Sequence, residues 1–417
     1  MAVTLKVLTL NSWALPLVYP FGSKHRKLRI EAIADALLHE DYDLVSLQEI
    51  WREEDYEYIR RVVLETLPYS FYFYSVVNIW YSFYSGYIGS GVCVFSKYKI
   101  VDTLMHPYSL NGYGHHIHHG DWFGGKVVGM AKLLHEDLKI NFFATHIHAE
   151  YNRANDVYLP HRIVQAYELS QLVKNLSSGA DMSIVVGDLN LESQDLGYNL
   201  IVSNGRLKDA YCERKDTHCL NDSTQDGCTC EVPTNCFTVL AGESKVVQTG
   251  KRIDYILYNH RRSIDLTVER CFTTLSKIPQ HPTINYSDHE GLCAIFKLCK
   301  NTDGENFVST GHASSTDTVF PEAIKVIDEG IRKNRSDRNF FMAALICLVV
   351  LYVSTTKADG DFDRVLFQVI FAVGRLMLSI LIGFCFWHGR VVLSMERKAF
   401  LAAKGGMKLL CDSEKSA

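Results

Sequence analysis

Two stretches near the C-terminus are hard to place in any water-soluble fold. Residues 340–356 (FFMAALICLVVLYVSTT) carry no charge, and residues 365–387 (VLFQVIFAVGRLMLSILIGFCFW) carry only Arg375. At 1.5 Å per residue, helices over them span roughly 25 Å and 35 Å, against a hydrocarbon core about 30 Å thick. A surface helix of a soluble protein shows a polar stripe, and neither stretch has one. The connection KADGDFDR (357–364) permits only an antiparallel hairpin. Two transmembrane helices are therefore expected. Arg375 falls near mid-span, where a cation costs about 2.5–3.5 kcal/mol on insertion scales. Gln368 lies two turns earlier on the same face, and nothing in the sequence explains either residue.

Basic residues orient the hairpin. Lys325, Arg332, Lys333, Arg335 and Arg338 precede it, and Arg390, Arg397, Lys398, Lys404 and Lys408 follow it. The turn has Lys357 and Arg364 against three aspartates. Both termini are then cytosolic, and residues 388–417 form a cytosolic tail. The short first span favours a thin bilayer, the endoplasmic reticulum over the plasma membrane. Residues 300–319 (KNTDGENFVSTGHASSTDTV) read as a polar linker. Phe320, Ile324, Ile327 and Ile331 repeat at helical spacing, which predicts an amphipathic helix over 320–338. It either lies on an anionic leaflet or packs on the preceding domain.

The N-terminal MAVTLKVLTLNSW lacks the basic start and apolar run of a secretory signal and alternates like a first strand. A cytosolic domain keeps its thiols reduced. Cys212, Cys219, Cys228, Cys230 and Cys236 crowd one polar stretch, but their spacing matches no standard zinc pattern.

Residues 1–299 form the remaining unit. Strands are expected over 3–10, 43–48, 91–95, 127–134, 139–145, 182–187, 253–258 and 291–298, and helices over 24–39, 53–66 and 157–176. That mixture indicates one large α/β domain. Lys and Arg total 43 against 47 Asp and Glu, a net charge of −4. Such a balance provides no basic field, so nucleic acid is not an expected partner.

Several of these strands end in polar residues that a buried strand does not need. LTLNSW ends on Asn11, LVSLQEIW on Gln48 and Glu49, and FFATHIHAEYN carries His146, His148 and Asn152. IVVGDLN contributes Asp188 and Asn190, RIDYILY contributes Asp254, and YSDHEGLCAIF contributes Asp288 and His289. Polar groups just past strand ends collect at one rim of a sheet, where sites form. Carboxylates and amides without thiolates suit a hard cation, Mg²⁺ or Mn²⁺. A His beside an Asp suits a general base acting on water, and a second His with Asn suits developing phosphoryl charge. No P-loop and no serine elbow occur. The coherent chemistry is metal-assisted attack of water on a phosphate ester.

The ordered set LQE, TH, GDLN, RIDY and SDH resembles the deoxyribonuclease I-like endonuclease/exonuclease/phosphatase superfamily. That resemblance implies a four-layer α/β sandwich, here followed by the C-terminal transmembrane hairpin. LNGYGHHIHHGDWFGGKVVG (110–129), THIHAEYN (145–152) and the hairpin are similar to neutral sphingomyelinases, so the likeness covers essentially the whole chain. It implies that Glu49 and Asn11 hold the metal and that His146 contacts the scissile phosphate. Asp188 and Asn190 would position water and stabilise the transition state. His289 would be the general base, oriented by Asp254, with Asp288 near the metal or phosphate. His148 has no counterpart across the superfamily. His115, His116, His118 and His119 lack metal spacing and are expected to pack a substrate loop. The implied reaction is hydrolysis of sphingomyelin to ceramide and phosphocholine. Other choline lipids such as lyso-platelet-activating factor, and a catalytically silent membrane adaptor, stay open. Oligomeric state is not legible. The aromatic run 69–87 (YSFYFYSVVNIWYSFYSGY) departs from the family pattern. It reads equally as a loop entering the leaflet or as a buried strand pair.

Overall fold

The computed structural model describes residues 2–16, 22–74, 89–116, 119–215, 227–238, 250–300, 316–358 and 365–416. The chain divides into two units, Met1–Val319 and Phe320–Ala417.

The first unit runs β1 (Ala2–Asn11), α1 (Arg26–His39), β2 (Leu44–Gln48), α2 (Glu53–Val62), β3 (Tyr69–Phe73), β4 (Val92–Ser96) and β5 (Lys99–Pro107). A short α3 (Asp121–Gly124) precedes β6 (Val127–His135), β7 (Leu138–His146), α4 (Leu159–Leu176), β8 (Met182–Asp188), α5 (Leu196–Gly205) and β9 (Lys208–Asp209). Then come β10 (Asp254–His260), β11 (Ile264–Thr274), β12 (Lys277–Ile278), β13 (His281–Asn285) and β14 (Gly291–Lys300). Every strand and helix expected from the sequence is present. The expectation missed β5 and β11, whose alternating exposure marks strands with a solvated face. It also missed α5, which is short and flanked by turns.

One six-stranded sheet has the order β11-β14-β1-β2-β4-β3 and the other β5-β6-β7-β8-β10-β9. The sheets face each other across one core. Leu5, Val7, Leu44, Phe73 and Val94 from the first meet Ala131, Leu133, Phe142, Ile184 and Ile256 from the second. The opposite face of the first sheet, with Leu8, Leu10, Val45 and Leu47, is covered by Ile30, Ile33 and Leu37 of α1 and Ile59 of α2. On the second sheet, α4 and α5 form the outer layer. They are tied to it by Gln165 Oε1 accepting from His148 N (2.8 Å) and Gly205 O accepting from Asn259 Nδ2 (3.3 Å). This is the expected four-layer sandwich. Apolar faces on both sides of each sheet require two covers, which explains the near-continuous apolar runs of β2 and β8.

The second unit contains α6 (Thr316–Ala358), α7 (Val365–Trp387) and α8 (Leu393–Ser416), with a π-helical turn at His388–Val392. The structure corrects three boundaries. The linker expected over 300–319 is shorter, because β14 reaches Lys300 and α6 starts at Thr316. The separate helices expected over 320–338 and 340–356 are one 43-residue helix, since no Gly or Pro interrupts residues 331–358. The tail 388–417 is helical, and it runs antiparallel to the first half of α6. Asn334 Nδ2 donates to Leu393 O (2.8 Å) and Glu396 Oε1 (3.1 Å), and Lys404 pairs with Asp328. The amphipathic part of α6 thus has α8 as a partner, which neither expected reading included. Both long helices are long and apolar enough to cross a membrane. Their apolar segments leave side chains such as Phe340, Val350, Leu366 and Leu376 exposed.

Candidate active site

The rim predicted from the strand ends exists, and strand direction explains it. β1 and β2 are parallel, as are β7 and β8. Their C-terminal ends bring Asn11 beside Gln48 and His146 beside Asp188 in register. β10 and β14 run antiparallel to their neighbours, so their beginnings reach the same rim with Asp254 opposite Asp188. Gly187 makes the close approach possible. Its φ is +140°, and a Cβ there would lie 1.9 Å from Thr145 O. Glu49 (φ 59°) and Asn190 (φ 48°) hold the left-handed conformation just past β2 and β8, which turns both side chains at strand ends.

A cavity of about 310 Å³ opens at this rim. Asn11, Glu49, His146, Asp188, Asn190, Asp288 and His289 all line it. Asp254 lies behind, fully buried, with Oδ2 2.8 Å from His289 Nδ1. His289 Nε2 faces Asp188 Oδ2 at 3.9 Å. Burial works against the imidazolium, yet Cys230 and Asp254 beside it hold the His289 pKa well above the ordinary value. Asn11 Nδ2 donates to Glu49 Oε1 and to Asp188 Oδ2, both at 3.0 Å, while Asn11 Oδ1 accepts from Trp13 N. Asn190 N donates to Asp188 Oδ1 (2.8 Å), and Asn190 Nδ2 donates to Ile147 O (2.9 Å).

The carboxylates outnumber the cations around them. Burial and Asp288 push the Glu49 carboxyl up, and burial pushes Asp288 up. Burial and Asp254 raise Asp188 to about 7. Oxygen donors with surplus negative charge fit a hard divalent cation. Asp188, Asp254 and His289 also place ligand atoms within 4.8 Å of one another, a grouping already accounted for by the His289–Asp254 hydrogen bond.

The expected reading missed Lys126, Asp121, Arg29 and Cys230. Lys126 is buried, and its ammonium donates to His146 Nε2 (3.0 Å) and Ile147 O (2.9 Å) and pairs with Asp121 Oδ1 (2.7 Å). Burial and Lys126 hold the His146 pKa well below the ordinary value, so the ring is neutral with its proton on Nδ1. Burial alone would raise Asp121, but Lys126 and His148 hold it well below the carboxylate range. Arg29, fully buried, gives hydrogen bonds to the carbonyls of Ser12, Trp13, Lys24 and Tyr286. It anchors the loop after β1 that forms one cavity wall. Cys230 forms an isolated β-bridge with His289. The stretch HHGDWFGGK held the only available signal for Asp121 and Lys126, and a buried Lys cannot be told from a surface Lys in sequence.

Three flagged residues sit elsewhere. Gln48 is bound by Thr9 and Ser46 hydroxyls inside the sheet. Asn152 accepts from the amides of Ala154 and Asn155 in an exposed turn. His148 sits behind Asp121 (3.9 Å), and burial lowers its pKa to about 4. The histidine stretch does pack a loop: His116 and His119 each place Nδ1 2.6 Å from Tyr158 Oη, and His119 stacks on Tyr151. His118 lies outside the described residues. Cys212, Cys228, Cys230 and Cys236 are not in disulfides, and Cys219 lies outside the described residues. Of the aromatic run 69–87, Tyr69–Phe73 is the edge strand β3; residues 75–87 lie outside the described residues.

Residues 8–289 match the Endonuclease/Exonuclease/phosphatase family. A Caenorhabditis elegans protein named putative neutral sphingomyelinase is 41% identical over 98% of this chain and 91% of its own. Homo sapiens sphingomyelin phosphodiesterase 2 is 38% identical over 74% of this chain and 68% of its own. The crystal structure of SmcL superposes with a TM-score of 0.51 at 17% identity, over 70% of this chain and 98% of that one, which supports the fold alone. The chain belongs to the Endonuclease/Exonuclease/phosphatase family, on the branch of the neutral sphingomyelinases.

Proposed function

We propose that this chain is an integral-membrane neutral sphingomyelinase. It hydrolyses sphingomyelin to ceramide and phosphocholine, with Mg²⁺ as cofactor and Mn²⁺ as a substitute. The observation that supports it most is the Asp254-backed His289 facing a cavity that also holds Glu49, Asp188 and Asn190, in a chain so similar to proteins named for that reaction.

Asp254 Oδ2 accepts the His289 Nδ1 proton, which leaves Nε2 free as a base. Nε2 takes a proton from water as the water oxygen bonds to phosphorus. The bond from phosphorus to the ceramide oxygen breaks, and phosphocholine remains. Asp188 lies on the Nε2 side of His289 and positions the water. Asn190 keeps one amide proton for a phosphoryl oxygen, since its other goes to Ile147 O. His146 stands beside it as a neutral ring, and Lys126 adds positive charge to the rim. Glu49, with Asn11 beside it, would hold the metal, which supplies charge neutralisation for the phosphate and the departing alkoxide. Asp288 stands next to that position.

Both apolar helices would span the bilayer, and their basic flanks would put the catalytic domain and both termini in the cytosol. The thin-bilayer argument favours the endoplasmic reticulum. Anchoring to the substrate's own membrane raises its effective concentration.

The test is phosphocholine release from sphingomyelin in detergent micelles by the full chain, with Mg²⁺, with EDTA and with His289→Ala. Release that requires both Mg²⁺ and His289 supports the proposal. Mg²⁺-dependent turnover of a lyso-choline lipid but not sphingomyelin would reassign the substrate. Silence on every lipid by folded, metal-loaded protein would make the chain an adaptor.

A further inference from the structure

A phosphodiester lipid has two arms, and the structure has two cavities. The second, of about 220 Å³, shares Ala149, Tyr151, Asn190 and His289 with the first. It contains neither Glu49 nor any tryptophan. Its own walls are Glu150, Glu192, Glu231, Arg153, Lys251 and Ile253. The first cavity is walled on its other side by Trp13, Leu15, Pro16 and Trp51. The two spaces therefore meet at the proposed base and differ in chemistry.

We propose that the second cavity is the headgroup subsite and that it selects a quaternary ammonium. This rests on the proposed phosphodiesterase reading of the same site. In an in-line displacement the leaving oxygen stands opposite the attacking water. The water is activated at His289, so the leaving lipid oxygen points away from it, towards Glu49 and the tryptophans. The apolar arm follows that oxygen along apolar walls. The headgroup stays on the phosphorus that remains near His289 and Asn190, and the second cavity is the space that opens there.

Its charge fits a cation. Three carboxylates face two basic groups, and both basic groups are already held. Arg153 pairs with Glu150 (2.7 Å) and with Asp195 (2.7 Å), the latter outside the lining. Lys251 pairs with Glu231 (2.8 Å). The residual field in the cavity is negative. A quaternary ammonium has no proton to donate, so it needs only that field and soft contacts. Tyr151, Ala149 and Ile253 provide the contacts. A sugar headgroup would have to break the Arg153 and Lys251 ion pairs to satisfy its hydroxyls, and an anionic headgroup would meet Glu192 and Glu231.

The experiment compares two soluble diesters with the full chain in detergent and Mg²⁺: p-nitrophenylphosphorylcholine and bis(p-nitrophenyl) phosphate. The variant is Glu192→Gln with Glu231→Gln; the two side chains are 27% and 38% exposed, so the fold tolerates the change. The ratio of kcat/KM for the choline diester to that for the other should fall roughly tenfold, through KM. Lys251→Met, which removes a competing cation, should raise the same ratio. An unchanged ratio in both variants overturns the subsite while wild-type hydrolysis of sphingomyelin leaves the enzyme reading intact. Wild-type protein that hydrolyses no choline diester overturns both. A ratio that falls in Lys251→Met would also overturn it, by assigning the cavity to an anionic or hydroxylated headgroup.

Discussion

Replacing Asp254 by Asn tests the proposed base most directly. The substitution keeps shape and removes one buried charge 2.8 Å from His289 Nδ1. A hydrogen bond to a charged group contributes about 1.5–3 kcal/mol net. Losing it in the transition state, where the imidazolium forms, slows catalysis roughly tenfold to a few hundredfold. Asn can also donate to Nδ1 and trap the ring with its proton on Nε2, the wrong tautomer for a base. That failure in an analogous dyad carries a loss of about 10⁴. The expected fall in kcat is therefore between about 10² and 10⁴, with KM little changed. The pH profile supplies the sign. Asp254 helps hold the His289 pKa above its ordinary value. A base works only when neutral, so activity rises as pH passes its pKa. Without Asp254 that pKa falls, and the acid limb of kcat/KM moves to lower pH while the plateau drops. Rates with sphingomyelin from pH 5 to 9, for wild type and Asp254→Asn, measure both. A plateau within threefold of wild type, or an acid limb that moves upward, would refute the role given to Asp254.

Gly187→Ala places a methyl 1.9 Å from Thr145 O at a φ of +140°, so a loss of about 3 kcal/mol or more and of the site with it is expected by thermal unfolding. Asp188 is raised from 3.8 to about 7, so between those pH values the folded chain binds more protons than the unfolded one and metal-free stability falls as pH rises. Asp188→Asn should flatten that slope in Tm against pH, and Mg²⁺ should offset it in the wild type; a slope that survives Asp188→Asn unaltered would remove Asp188 as its source.

Much of the site was legible because it sits where local pattern is informative. A buried strand has no use for Asn11, Glu49, His146, Asp188 or Asp254 at its end, so each stood out from its own ten residues. Gln48 stood out equally and is structural, because Thr9 and Ser46 place hydroxyls beside it inside the sheet. Asn152 stood out and caps a turn. The same argument, applied to β5 and β11, failed in reverse: half-solvated strands carry enough polar residues to look like loops.

The sequence by itself determined which segments avoid water. Residues 340–356 and 365–387 have no polar side, and β1, β2, β7 and β8 are apolar throughout, so hydrophobic burial dictates their environment wherever the rest of the chain goes. Only the tertiary structure decided the partners. Asn11 meets Asp188 across 177 positions, His289 meets Asp254 across 35, and Lys126 meets His146 across 20. Asn334 likewise finds Leu393 across 59. Hydrophobic patterning reports a residue's exposure, which is a local property. A hydrogen bond or an ion pair depends on the distance between two residues, and that distance is set by sheet register and strand direction. The burial of Lys126 among Asp121, His146 and Ile147 is therefore a property of the assembled sandwich that no window of sequence contains.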